Sequence, residues 1–250
     1  MALNIIGLGL NDEKDISLKG LETVKKCDYV YLESYTSRLN VPLGFYEKLY
    51  GKEIILAKRQ LVEDKAGEIL SKAKTKQVAF LVMGDPLSAT THFDLILRAR
   101  KEGIKVNIIH NASILTAVGI TGLQLYKFGK TTSIPLENNN IESPYDVLKE
   151  NYKLGLHTLF ILDLDNEQNK FLSVNDAIRY LLKVEIKKGE RIFNDNILCV
   201  GCAKIGSLDQ IIKFGKAKEL LKFNFKDAPH CLIVPGKLHF MEEEALNLWQ

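Results

Sequence analysis

Only four cysteines occur in the 250 residues: Cys27, Cys199, Cys202 and Cys231. So few exclude a small scaffold stapled by disulfides. Cys199, Cys202 and Cys231 sit in or beside apolar runs, the pattern of buried thiols in a reducing compartment. Proline is scarce at 6, and no low-complexity or fixed-period tract occurs. Neither sign of charge dominates, since Lys+Arg 34 against Asp+Glu 31 leaves +3. That balance gives no reason to expect strong nonspecific binding to nucleic acid. Long apolar runs are also missing. The longest mostly apolar stretch, Ser113 to Leu123, carries Gly and Thr and falls short of the roughly 20 residues of a membrane span. The N-terminal MALNIIGLGLNDEKD has no basic leader and no small-residue cleavage pattern. A soluble cytoplasmic protein is expected.

What is present is globular: 46% hydrophobic and 26% charged residues. At about 150 residues per domain the length lies between one and two domains. Short apolar runs alternate with amphipathic stretches. Leu3–Leu8, Tyr29–Leu32, Glu53–Leu56, Val78–Met83 and Val106–Ile109 read as strands. The unbroken run VAFLVM has the pattern of a parallel strand buried on both faces. Between them, helices are expected at Ile16–Cys27 with Asp15 as cap, Pro42–Tyr50, Val62–Ala73 and from a Thr91–Asp94 capping box to about Lys101. A further helix opens at Asn111 or Ser113. This β-α alternation predicts an open, mostly parallel sheet with helices on both faces. The polar run Gly129–Pro144 marks a boundary. Two α/β domains are expected, 1–130 and 131–250. The second would hold strands at His157–Leu162, Ile197–Ala203 and Cys231–Val234, and helices at Val174–Val184 and Phe240–Trp249.

Three strand ends carry candidate chemistry. Gly7-Leu8-Gly9-Leu10 is half of a dinucleotide fingerprint, with Asp12 where a third glycine would stand. It reads either as a ligand loop or as a tight turn needing two positions without a Cβ. Gly84-Asp85-Pro86 ends the most apolar strand, followed by Ser88, Thr90, Thr91 and His92. Its carboxylate either accepts from a ribose or amine, or belongs to a turn capped by Thr91. His110-Asn111-Ala112-Ser113-Ile114 runs into a helix whose first amides either face a ligand or are capped by Asn111. Cys199-x-x-Cys202 has zinc-like spacing, but in a strand the two thiols face opposite ways and no second pair accompanies them. Core cysteines and no metal are expected. No G-x-S-x-G elbow and no P-loop occur.

Taken together, these segments resemble one family. Its residues include Ile6-Gly7-Leu8-Gly9-Leu10, Gly84-Asp85-Pro86-Leu87, Ser113-Ile114, Ala117–Leu123, Tyr126-Lys127-Phe128-Gly129-Lys130, Ala228-Pro229-His230 and Pro235-Gly236-Lys237-Leu238-His239. The set is similar to the diphthine synthases, methyltransferases of the tetrapyrrole-methylase-like class, over nearly the whole chain. The resemblance implies two α/β domains with S-adenosyl-L-methionine in the cleft between them. It implies cofactor contacts at Leu10, Asp85, Ser88, Ser113, Ile114, Leu162, Ala203 and His230. Ser88 stands where an aliphatic residue is expected in relatives, so its contact would be through backbone. The implied substrate is translation elongation factor 2, on a histidine bearing a 3-amino-3-carboxypropyl group whose amine is methylated repeatedly. Eukaryotic relatives methylate the carboxylate too; the Lys/Ile-rich composition suggests the archaeal, trimethylating kind. A homodimer, no membrane and no nucleic-acid partner are also implied. The alternative acceptors are a tetrapyrrole or ribosomal RNA. Tyr35, Tyr126 and Phe128 are candidates to wall the growing ammonium, and Lys127 and Lys130 to hold the substrate carboxylate. No catalytic base is assigned.

Overall fold

The computed structural model describes residues 1–250, which divide into two compact units, Met1–Ile114 and Leu115–Gln250. The sequence places the boundary at 130, inside the polar run.

The first unit is a five-stranded, wholly parallel sheet: β1 (Ala2–Gly7), β2 (Tyr29–Glu33), β3 (Ile55–Ala57), β4 (Gln77–Val82) and β5 (Val106–Ile109), in the order β3-β2-β4-β1-β5. Its helices are α1 (Leu18–Lys26), α2 (Leu43–Tyr50), α3 (Arg59–Glu63), α4 (Ala66–Ala73) and α5 (Phe93–Lys101). Strand alternation explains the unbroken VAFLVM. Val78, Phe80 and Val82 pack with Ile69, Leu70, Leu95 and Ile96 of α4 and α5. Ala79, Leu81 and Met83 pack with Val24 of α1 and Tyr46 and Tyr50 of α2. Both faces are covered, so every residue of the run is apolar.

Three local expectations are corrected. Ser17, not Asp15, caps α1, through Gly20 N. The single helix expected over Val62–Ala73 is two, separated at Asp64–Lys65 where Lys65 leaves helical geometry. No capping box opens α5, because His92 at its start makes no side-chain cap.

The short α6 (Ile114–Ala117) begins on the last residue of the first unit and continues into the second. The second unit then builds a mixed sheet from β6 (Thr132–Ile134), β7 (Thr158–Leu162), β10 (Leu198–Ala203), β11 (Ile211–Lys216) and β12 (His230–Val234), ordered β11-β10-β12-β7-β6. All neighbours are antiparallel except β6 and β7. A small hairpin, β8 (Leu164–Asp165) and β9 (Lys170–Phe171), stands apart. The helices are α7 (Ser143–Lys153), α8 (Val174–Lys188), α9 (Ala217–Leu220) and α10 (Phe240–Asn247). Tyr145 and Leu148 of α7 and Ala177, Ile178 and Leu181 of α8 close over Phe160, Cys199 and Leu232. No helix is long and apolar enough to cross a membrane.

Candidate cofactor and active site

In the first unit the three motif loops leave the carboxyl ends of three neighbouring strands, β4, β1 and β5, the edge where open parallel sheets bind ligands. Gly9 and Gly84 bind each other, Gly84 N to Gly9 O at 2.7 Å and Gly9 N to Gly84 O at 3.3 Å. The close approach explains the G-x-G. A Cβ on Gly7 would lie 2.5 Å from Gly84 O, and one on Gly9, at φ +83°, 2.5 Å from Asp15 Cβ. Asp15 accepts from Leu10 N at 3.2 Å and Asn11 N at 2.8 Å. Asn111 Nδ2 donates to Gly7 O and Asp15 O, both at 3.0 Å. Its Oδ1 accepts from Ala112 N at 2.8 Å.

Asp85 is the hub of this edge. Oδ1 accepts from Leu87 N at 2.9 Å and Ser88 Oγ at 3.1 Å; Oδ2 accepts from His110 Nδ1 at 2.7 Å and Asn111 N at 3.2 Å. These four donors fill a carboxylate's usual capacity. Burial opposes the charge, but the bonds from Leu87, His110, Asn111 and Ser88 outweigh it and hold the pKa below the ordinary carboxylate value. Asp85 therefore shapes the loop first.

Several neighbours are not presented to a ligand. Thr90 Oγ1 donates to Pro86 O at 2.8 Å. His92 is buried with neither ring nitrogen partnered, edge-on to Phe80, and burial lowers its pKa to about 4. Glu33, at the end of β2, is buried and accepts from Tyr35 N, Thr36 N and Thr36 Oγ1 at 2.7, 2.6 and 2.8 Å. Desolvation raises its pKa despite those bonds. Tyr35 is buried under Arg59, whose guanidinium lies 5.1 Å from the ring centre.

In the second unit the expected residues also meet. Ala203 on β10 is paired directly with His230 on β12. Cys231 faces Ile161 on β7, so Leu162, the next residue, is level with His230. Leu162, His230 and Ala203 thus lie side by side across three neighbouring strands, all buried. His230 follows the cis Ala228–Pro229 bond; its Nε2 donates to Asp227 O at 3.0 Å, and its buried Nδ1 has no partner. Cys202 faces Cys231, both thiols are buried, and no group of three or more His, Cys, Asp or Glu is arranged to hold a metal.

The Tyr126–Lys130 segment differs from expectation. Lys127 Nζ ion-pairs with Glu242 and donates to Lys237 O at 2.8 Å, so it does not stand ready for a substrate carboxylate. Glu242 also accepts from Gln124 N, His239 N and His157 Nε2 at 3.0, 2.8 and 2.9 Å. Burial works against this carboxylate, yet Lys127 and the other donors bring its pKa down to about 2. His157 Nδ1 accepts from Gly236 N at 3.0 Å. Phe128 packs edge-on against His157, with centroids 5.3 Å apart, whereas Tyr126 is exposed. The sequence reading missed Glu242 and His157. The signal available was Glu242 three residues into the helix that His239 opens, the spacing at which an acidic side chain reaches back to the helix start.

Residues 2–221 match the family model for Tetrapyrrole (Corrin/Porphyrin) Methylases. The chain belongs to that family and is a methyltransferase. Its relatives narrow the placement to the diphthine synthases. It is 47% identical to the Arabidopsis thaliana protein named "probable diphthine methyl ester synthase", over 99% of this chain and 98% of that one. It is likewise 47% identical to the diphthine synthase of Methanocaldococcus jannaschii, over 98% and 97%. A crystal structure described as diphthine synthase superposes with a TM-score of 0.92 at 37% identity, covering 100% of this chain and 96% of the other.

Proposed function

We propose that this protein transfers methyl groups from S-adenosyl-L-methionine to the amino group of the 3-amino-3-carboxypropyl-histidine of translation elongation factor 2. The full-length match to diphthine synthases carries this reading. We further propose that Leu10, Asp85, Ser88, Ser113 and Ile114 of the first unit and Leu162, Ala203 and His230 of the second contact the cofactor, that the protein is a cytoplasmic homodimer and that it acts without a metal. Two observations support the cofactor reading. The unpartnered Nδ1 of His230 is a lone pair with no donor, which an exocyclic amine of an adenine would satisfy. The crowding of Gly7 and Gly9 keeps the β1 loop bare of side chains where a ligand approaches the strand ends.

When bound, the cofactor supplies a methyl group on a positively charged sulfur. The protein's share is to orient, desolvate and manage protons. Asp85 fixes the loop after β4 by accepting from Leu87 N and Ser88 Oγ, so the contact proposed for Ser88 runs through its backbone and not through its hydroxyl. A dry pocket keeps an amine neutral by penalising its charged form.

The test is mass spectrometry of elongation factor 2 carrying the unmethylated aminocarboxypropyl-histidine, incubated with the protein and S-adenosylmethionine. A gain of three methyl groups on that peptide is expected for the diphthine product, and four for a methyl ester product. S-adenosylhomocysteine binding without any gain would reject this acceptor.

A further inference from the structure

We infer that His110 is the proton acceptor for the substrate amine, held in that role by Asp85. The inference rests on the methyl-transfer reading above and adds the base that the reading lacks.

The five histidines sort by what their ring nitrogens meet. His92 is buried away from solvent. His157 is buried, with Nδ1 accepting from Gly236 N and Nε2 bound to Glu242. His230 donates through Nε2 to Asp227 O. His239 accepts from Met241 N at Nδ1, 3.3 Å, so its proton is on Nε2; its ring lies 4.3 Å from that of Phe240. His110 differs from all four. Asp85 Oδ2 lies 2.7 Å from its Nδ1, and its side chain is 67% exposed. A carboxylate accepts and cannot donate, so the neutral ring carries its proton on Nδ1 and presents an Nε2 lone pair outward. This is the arrangement by which a carboxylate orients a histidine base.

The location fits the task. His110 follows β5 directly and precedes Ser113 by three residues, on the strand-end edge where the loops after β1 and β4 converge. Asp85 cannot be the base itself. All its acceptor positions are occupied, and its hydrogen bonds stabilise the charged form. Asp85 is the charged group that meets His110 from the loop after β4. Asp15, on the β1 side, is engaged with the Leu10 and Asn11 amides.

Repeated methylation creates the need. After each of the first two transfers the nitrogen holds a proton that must leave before the next. The N–H bond breaks, its electron pair stays on the amine, and the proton bonds to Nε2 of His110. The exposed imidazolium then returns it to water. The third transfer leaves a quaternary nitrogen with no N–H, and no base is needed afterwards.

The test combines three readouts. In the wild-type protein, ¹⁵N spectra of the imidazoles should show His110 protonated at Nδ1 and bare at Nε2. His110→Gln should keep S-adenosylhomocysteine affinity within about twofold by calorimetry, while its turnover at saturating substrates drops by about 10²- to 10⁴-fold, the usual contribution of a positioned base. Added imidazole should recover part of that loss, and the acid limb of the wild-type pH profile should vanish in the variant. His110 with its proton on Nε2, a variant turning over at the wild-type rate and pH profile, or a defect confined to S-adenosylhomocysteine affinity would each overturn the assignment. Wild-type protein that binds S-adenosylhomocysteine but methylates nothing would instead end the functional reading, and the role of His110 with it.

Discussion

Each unit is tied together by one carboxylate with a histidine among its partners, and the two differ in what surrounds the ring. Asp85 joins the loops after β4 and β5 and binds His110, whose side chain is 67% exposed. Glu242 joins α10 to the segment before β6 and binds His157, whose side chain is 0% exposed. Both carboxylates are held below their ordinary pKa against the pull of burial. The chemistry of the pairs is the same, and solvent access separates them. A sealed histidine with both nitrogens occupied has nothing left to exchange with a substrate. A half-open one keeps a lone pair.

Breaking the sealed hub should cost the most. Glu242→Gln leaves the half-buried Lys127 without its counter-charge and loosens the buried His157. A loss of about 3–5 kcal/mol is expected in urea unfolding, as for a broken buried pair. A cost near that of surface substitutions would mean the hub is ornamental. The second effect is pH-dependent. Burial lowers the pKa of His92 to about 4 in the fold, against about 6.5 when unfolded, so the folded ring is neutral above that range. Its contribution is therefore complete above about 6.5 and disappears as pH falls toward 4. Between those limits wild type should lose about 3 kcal/mol that His92→Leu does not lose. Parallel stability–pH curves for the two proteins would refute the burial argument. The smallest effect belongs to the open hub: His110→Gln should change unfolding stability by about 1 kcal/mol, the usual net value of one hydrogen bond. A loss as large as that of Glu242→Gln would erase the contrast drawn between the two.

The sequence made the first unit legible and the second less so, for a physical reason. Strands covered on both faces become unbroken apolar runs such as VAFLVM, which need no context to recognise. The edge strands are different. β6 is three residues, TSI, inside a polar run, and β11 reads IIKFGK with most residues only half-buried. Neither carries a full apolar pattern, and both took the appearance of loops. α7 is hidden because it begins inside that polar run, although Pro144 sits at its start. The candidate site residues came from the family resemblance, and the structure brings them together in two groups at strand ends. The role of Lys127 is not legible locally because it depends on a long-range partner. Lys127 meets Glu242 across 115 positions, a distance no local pattern encodes.

Strand order also dictates when each half of the molecule can form as it leaves the ribosome. In the first unit the earliest strand, β1, lies between β4 and β5, so its sheet is complete once Ile109 has emerged. In the second unit the latest strand, β12, lies between β10 and β7. Until His230–Val234 is made, β10 and β7 have no common neighbour, and their paired edges stay open. The first unit can therefore complete its sheet during synthesis, whereas the second cannot before its central strand is made, and until then its strand edges are open to pairing with other chains.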